Sequence, residues 1–250
     1  MKRSAVIGLV VVIVLAAGAY YFLQTPPAPP PAAPPAAAQP AIEHPLGPAP
    51  EAALPKLADS DDTLGAALAA LVHAPTLPDV FFPTQLAHRF VATVDNLPRE
   101  QVAAGVRFVR PAAGTLAVAG HEGALTLAAD NGARYARYLE LVRTVDPAAA
   151  VTLYRRYYPL FQQAYEELGY PGHYFNDRVV VVIDNLLATP EPAGPVALVH
   201  PSVMFKFADP ATEGLSAGQK ALIRLGPDNA REVKEKLRAI RALIATQPHA

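Results

Sequence analysis

The hydrophobic pattern divides the chain into three stretches of different character. An unbroken apolar run comes first, AVIGLVVVIVLAAGAYYFL from Ala5 to Leu23, with no charge inside it and Lys2 and Arg3 just before it. Beyond Pro55 the pattern becomes periodic. Leu64, Leu68, Leu71 and Val72 recur at helical spacing after Asp59, Asp61 and Asp62, acidic residues that suit a helix N-terminus. Leu86, Phe90, Val94 and Leu97 make a second stripe, opening between Asp79 and Pro83 and closed by Pro98. Small and apolar residues alternate from Thr115 to Leu127 around Gly120 and Gly123, which predicts a short hairpin.

Helices dominate the rest. Tyr135, Tyr138, Leu139 and Val142 predict one helix. Asp146 then caps another that starts at Pro147, and Val151, Tyr154, Tyr158, Phe161, Tyr165 and Leu168 line its face. Pro159 should kink it, and Gly169 with Pro171 should end it. Val179 to Ile183 carries strand propensity, but Asn176 or Asp177 offers a cap and the run to Leu187 is long for a strand, so a helix is expected. Val196 to Val199 and Val203 to Phe207 read as short strands. Val233, Leu237, Ile240 and Ile244 form the stripe of a last helix from Pro227, with Glu232 and Lys236 paired on its outer side. The expected fold class is mainly α, with a small β-hairpin in a helical soluble domain over residues 56–250.

The apolar run spans about 28 Å as a helix, close to a hydrocarbon core. Residues 5–23 are therefore expected to cross a bilayer once, with residues 1–4 in the cytoplasm and the remainder outside, because the basic residues lead and no further cation occurs before Lys56. A cleaved signal peptide is the competing reading, since Ala17, Gly18 and Ala19 satisfy a small-x-small pattern. Both readings export the domain. Between them, residues 24–55 form a Pro/Ala-rich linker, with twelve of the chain's 27 prolines between Pro26 and Pro55, a composition that favours polyproline II.

A net charge of -1 argues against a nucleic-acid footprint, and the absence of cysteine excludes disulfides, thiolate metal sites and catalytic thiols. The seven histidines show no ligand spacing, so neither metal nor cofactor is expected. Gly214, Leu215, Ser216, Ala217 and Gly218 match the elbow that presents a nucleophilic serine, with Asp228 and His249 following in order. A capping box explains the same letters better, because Gln219 lies three residues after Ser216. Asp184 lies inside an apolar run and should need a partner such as Arg178, Arg155 or Arg156. Tyr154, Tyr158, Tyr165, Tyr170 and Tyr174 form an aromatic cluster that could floor a glycan or peptide groove, although such clusters also arise as core.

The blocks YYPLFQQAYEELGYPGHYFNDRVVVVIDNLL (Tyr157 to Leu187), FADP (Phe207 to Pro210) and LSAGQKALIRLGPDNAREVKEKL (Leu215 to Leu237) resemble a bacterial family built on a domain of unknown function. The resemblance runs from about Lys56 to Ile244 and implies a hydrophobic N-terminal segment, a Pro/Ala-rich stretch and an envelope location, with no residue role to carry over. The expectation is an inner-membrane protein with a periplasmic domain that serves as a non-enzymatic interaction module. Its partners would be the bilayer through residues 5–23 and an envelope protein or cell-wall component.

Overall fold

The computed structural model describes residues 41–47, 53–72, 80–201 and 204–245. The expected membrane-spanning segment 5–23 and most of the Pro/Ala-rich linker lie outside the described residues. Among the described residues, no helix is long and apolar enough to cross a membrane.

The helical stripes fold as expected, with edges set by tertiary contacts. Helix α1 (Asp61–Val72) follows a single 3-10 turn, Leu57–Asp59. Helix α2 (Leu86–Asn96) starts at the first residue of its stripe, at least three residues after the opening expected between Asp79 and Pro83, because the Asp61 carboxylate of α1 accepts from the backbone N–H of Gln85 and Leu86, both at 2.7 Å. Gln85 takes a left-handed φ of 56° to present those groups. The first residue of α1 thus caps α2.

Helix α3 (Ala136–Thr144) continues a 3-10 segment, Ala129–Tyr135. Asp146 caps α4 (Pro147–Glu167) through Ala149 N–H, and the helix continues through Pro159. Gly169, at a φ of 113°, follows its C-terminus. Helix α5 (Phe175–Leu187) confirms the helical reading of the valine run, but neither Asn176 nor Asp177 caps it. Gln162 Oε1 of α4 accepts from Phe175 N–H instead, at 2.8 Å, which frees both residues for other contacts. Then come α6 (Pro210–Glu213), α7 (Ala217–Leu225) and α8 (Pro227–Ile244).

The expected hairpin is the edge of a larger sheet. Strands β1 (Val118–Ala119) and β2 (Leu125–Leu127) pair antiparallel with Val118 opposite Leu127. Strands β3 (Ala197–Val199) and β4 (Lys206–Phe207) extend it in the order β1-β2-β3-β4, antiparallel throughout. Leu125 and Leu198, 73 positions apart, face each other across β2 and β3, a pairing that local pattern does not reveal. The sheet buries Leu198 and Phe207 against Ile223 of α7.

The main core lies between α1, α2, α4 and α5, where Phe175 is fully buried. Phe90, Tyr154, Phe161 and Tyr165 surround it, with ring centroids 5.4–6.5 Å away. Helix α8 packs its Leu237, Ile240 and Ile244 against Val151 of α4 and Val180 and Ile183 of α5. The expected Glu232–Lys236 pair is replaced by longer-range contacts. Glu232 holds Arg143 of α3 through both carboxylate oxygens, and Lys236 Nζ donates to Val145 O at 2.8 Å. A tertiary guanidinium outcompetes the flexible lysine one turn away because its fork matches the carboxylate.

Candidate functional site

The tyrosine cluster forms a hydrogen-bonded seat at the start of α5. Spacing along α4 brings Tyr154, Tyr158, Phe161 and Tyr165 to one face, against Phe175. The Tyr154 ring stacks on Phe161 at 5.8 Å, and Tyr165 is only 5% exposed. Tyr165 packs into the core, while Tyr154, Tyr158, Tyr170 and Tyr174 are half-buried, and Tyr154 and Phe161 line an apolar cavity of about 260 Å³ between α1, α2, α4 and α8.

Asn176 is the hub of the seat and is fully buried. Its Oδ1 accepts from the Tyr154 hydroxyl at 3.3 Å, while its Nδ2 donates to His44 O at 2.6 Å and to Ile244 O at 3.1 Å. Its backbone N–H donates to the Tyr158 hydroxyl, which itself donates to Gln162 Oε1. Beside it, the Asp177 carboxylate accepts from the backbone N–H of Glu43 and His44 at 3.1 and 2.8 Å. Leu46 then packs against the cluster of Val151, Val180, Ile183 and Ile244. Residues 41–47, expected in the linker, are therefore fastened to the domain, because two polar side chains at the head of α5 are free to bind backbone.

Burial pushes the Tyr154 phenol well above its ordinary value and raises Tyr158 as well. Tyr165 is pushed up to about 12 by burial and by the charge of Asp95. Each phenol holds its proton more tightly folded than unfolded, so its stabilisation is complete below about pH 10 and is lost as pH rises towards the folded values. The urea midpoint should hold steady to about pH 10 and fall steeply above it, and Tyr165→Phe should flatten that fall. A midpoint indifferent to pH in that window would contradict the assignment.

Asp184 does not occupy the buried position expected for it. Its side chain is 48% exposed and pairs with Arg241 of α8, not with Arg178, Arg155 or Arg156. Helix periodicity explains the difference: Val180, Val182, Ile183 and Leu186 take the buried face, so position 184 turns outward. The buried carboxylate is Asp95 of α2, with a side chain 2% exposed. Arg178 Nε donates to its Oδ1 at 2.8 Å and Arg178 Nη2 to its backbone oxygen at 2.7 Å. Arg99 Nη2 and the Tyr170 hydroxyl reach its Oδ2 at 2.7 and 3.2 Å. Arg99, one turn after Asp95, was the available sequence signal, but the pair reads as an ordinary surface i,i+4 contact.

Ser216 stands at the N-cap of α7, with its hydroxyl donating to Asn185 Oδ1 at 2.9 Å and accepting from Gln219 N–H at 3.2 Å. Gln219 Oε1 accepts from Ser216 N–H, which completes the capping box. The preceding element is helix α6, whereas a nucleophile elbow requires a strand. Asp228 pairs with Arg231 at 3.0 Å, and His249 lies outside the described residues. Ser216→Ala should cost about 1–2 kcal/mol in urea denaturation, as expected for a lost cap. A fluorophosphonate probe on the folded chain should leave Ser216 unlabelled; labelling would restore the nucleophile reading.

Among the described residues, no three His, Asp or Glu side chains gather as a metal site. The model of a family described as "protein of unknown function (DUF3014)" matches residues 86–241. The chain belongs to the DUF3014 family. Its match begins at Leu86, the first residue of α2, and ends at Arg241, the partner of Asp184. The DUF3014 region thus contains Asp95, Arg178, the Asn176–Asp177 seat and the capping box, while the segment seated there, residues 41–47, precedes it. No curated protein and no solved structure matches the chain.

Proposed function

We propose that this DUF3014 protein is a cell-envelope interaction module, tethered to the inner membrane by residues 5–23 and carrying its helical domain on the periplasmic side. The observation that carries the reading is the seating of residues 41–47 on Asn176 and Asp177. A segment that served only as a loose spacer would not need its backbone held by a buried asparagine. Gripped there, the domain is held at a set point along the chain. The free spacer then shortens to residues 24–40, which reach about 50 Å when extended, against about 100 Å for residues 24–55. The domain would contact an envelope protein or the cell wall within that shorter radius.

A reporter fused after Ala250 tests the topology, and it should be active only outside the cytoplasm. In-cell crosslinking of the full chain should recover a partner that an anchor-only control does not. An internal C-terminus, or the intact chain in the soluble cytosolic fraction, would overturn the placement. A folded, membrane-held chain that crosslinks no more than the control would overturn the interaction role.

A further inference from the structure

A cavity apart from the seat of residues 41–47 carries a charge without a counter-charge. It has a volume of about 260 Å³ and lies between the 3-10 segment Ala129–Tyr135, the proline-rich loop from Thr189 to Val196, the end of α7 and the first turns of α8. Its walls are largely hydrocarbon, with Pro190, Pro195 and Leu222 among them. Lys234 of α8 and Thr189 also form the wall. Lys234 is only 5% exposed, and its Nζ donates to Thr189 O at 2.6 Å.

Among the described residues no carboxylate lies within ion-pair distance of Lys234. Lys220, the other buried lysine at 7% exposure, shows the usual solution: it donates to Glu213 O at 2.9 Å and has the Glu213 carboxylate at 3.6 Å. An ammonium taken out of water without an anion is unfavourable, and one carbonyl satisfies one of its three donors. The surroundings add to the positive potential. Gly226 and Pro227, at the start of the 18-residue helix α8, line the cavity, and no side chain caps that helix. Arg224 also contributes to the wall while its guanidinium lies over the Phe207 ring, 4.9 Å from the centroid. The acid in the lining is Glu191, which is exposed and faces Arg231 at 3.9 Å.

We propose that this cavity binds a small apolar carboxylate, its charged end on Lys234 Nζ and its hydrocarbon body against the proline loop and Leu222. Binding of this kind is independent of where the domain sits in the cell. The ligand supplies the missing anion, and the walls supply the apolar contact that selects against fully hydrated ions.

Benzoate and its neutral analogue benzamide are suitable probes for calorimetric titration into the full chain in detergent micelles. Benzoate should bind saturably, and benzamide at least about tenfold more weakly, the share expected of one charge-assisted hydrogen bond. Lys234→Gln keeps a donor for Thr189 O and should weaken benzoate by about tenfold or more, whereas Lys220→Gln should not change it. In the wild-type chain, benzoate should also slow amine-reactive labelling of Lys234, read by peptide mass, which supplies a measurement that does not depend on a variant folding. Equal affinity for benzoate and benzamide, undiminished binding in a folded Lys234→Gln chain, or the absence of both saturable binding and protection of Lys234 would overturn the proposal.

Discussion

Asp95→Ala should destabilise the domain by about 3–5 kcal/mol in chemical denaturation, whereas Asp184→Ala should cost about 1 kcal/mol or less. Both residues are acids paired with arginine on a helix, so burial makes the difference. Asp95 is nearly inaccessible and receives Arg178, Arg99 and the Tyr170 hydroxyl. Removing it leaves the Arg178 guanidinium, 25% exposed, with only the Asp95 backbone oxygen as a partner. Truncating one member of a buried pair leaves the other's desolvation uncompensated, which is the main source of the loss. Asp184 and Arg241 are 48% and 38% exposed, and water replaces either partner at little cost. The same substitution should also move Tyr165, because the Asp95 charge contributes to raising its phenol and its ring stacks on Tyr170 at 4.6 Å. Spectroscopic titration of the tyrosines should therefore show one phenol titrating lower in a folded Asp95→Ala chain. Equal losses for the two aspartates would mean that the Asp95 network is no more protected from water than a surface pair.

The contrast between the two aspartates also shows which parts of the fold were legible in the sequence. Apolar spacing made α1, α2, α3, α4 and α8 readable, as was the cap at Asp146, whereas α5 rested on the length of its valine run and on a cap that the structure does not use. The capping box at Ser216 was readable because both partners lie within four residues. What local pattern lacks is the identity of a distant partner. The start of α2 depends on Asp61, 25 residues earlier, and the cap of α5 depends on Gln162 of the neighbouring helix. Asp184 looked buried because apolar letters surround it, yet helical phase turns it outward. Asp95, a charge near a helix end, carries no local sign of burial, and Arg178 of α5 covers it. The sheet was half visible, since a hairpin is local while the pairing of β2 with β3 joins residues more than 70 positions apart. The seat for residues 41–47 was least legible, because Pro/Ala composition signals a spacer and Asn176 signals a cap.

Asn176→Ala should be the other costly change, at about 2–4 kcal/mol, and it should release residues 41–47 from the domain. The amide bonds three partners from three parts of the chain: the Tyr154 hydroxyl on α4, His44 O before the domain and Ile244 O at the end of α8. Alanine cannot replace any of these bonds, and the site is fully buried, so the Tyr154 hydroxyl and the Ile244 carbonyl lose a partner in an apolar surround. Asp177→Ala removes only the two bonds from Glu43 and His44 N–H, at a half-buried position where water can substitute, and should cost about 1 kcal/mol. Limited proteolysis separates loss of the seat from general loosening. Cleavage within residues 41–47 should rise by about tenfold or more in Asn176→Ala under conditions where cleavage within α4 stays slow, since local release needs less free energy than global unfolding. If both regions become sensitive together, Asn176 supports the core as a whole and the seating of residues 41–47 follows from folding without setting the length of the tether. If only residues 41–47 open, the same variant in the membrane-held chain lengthens the free spacer, and crosslinks from the domain should then reach farther from the bilayer.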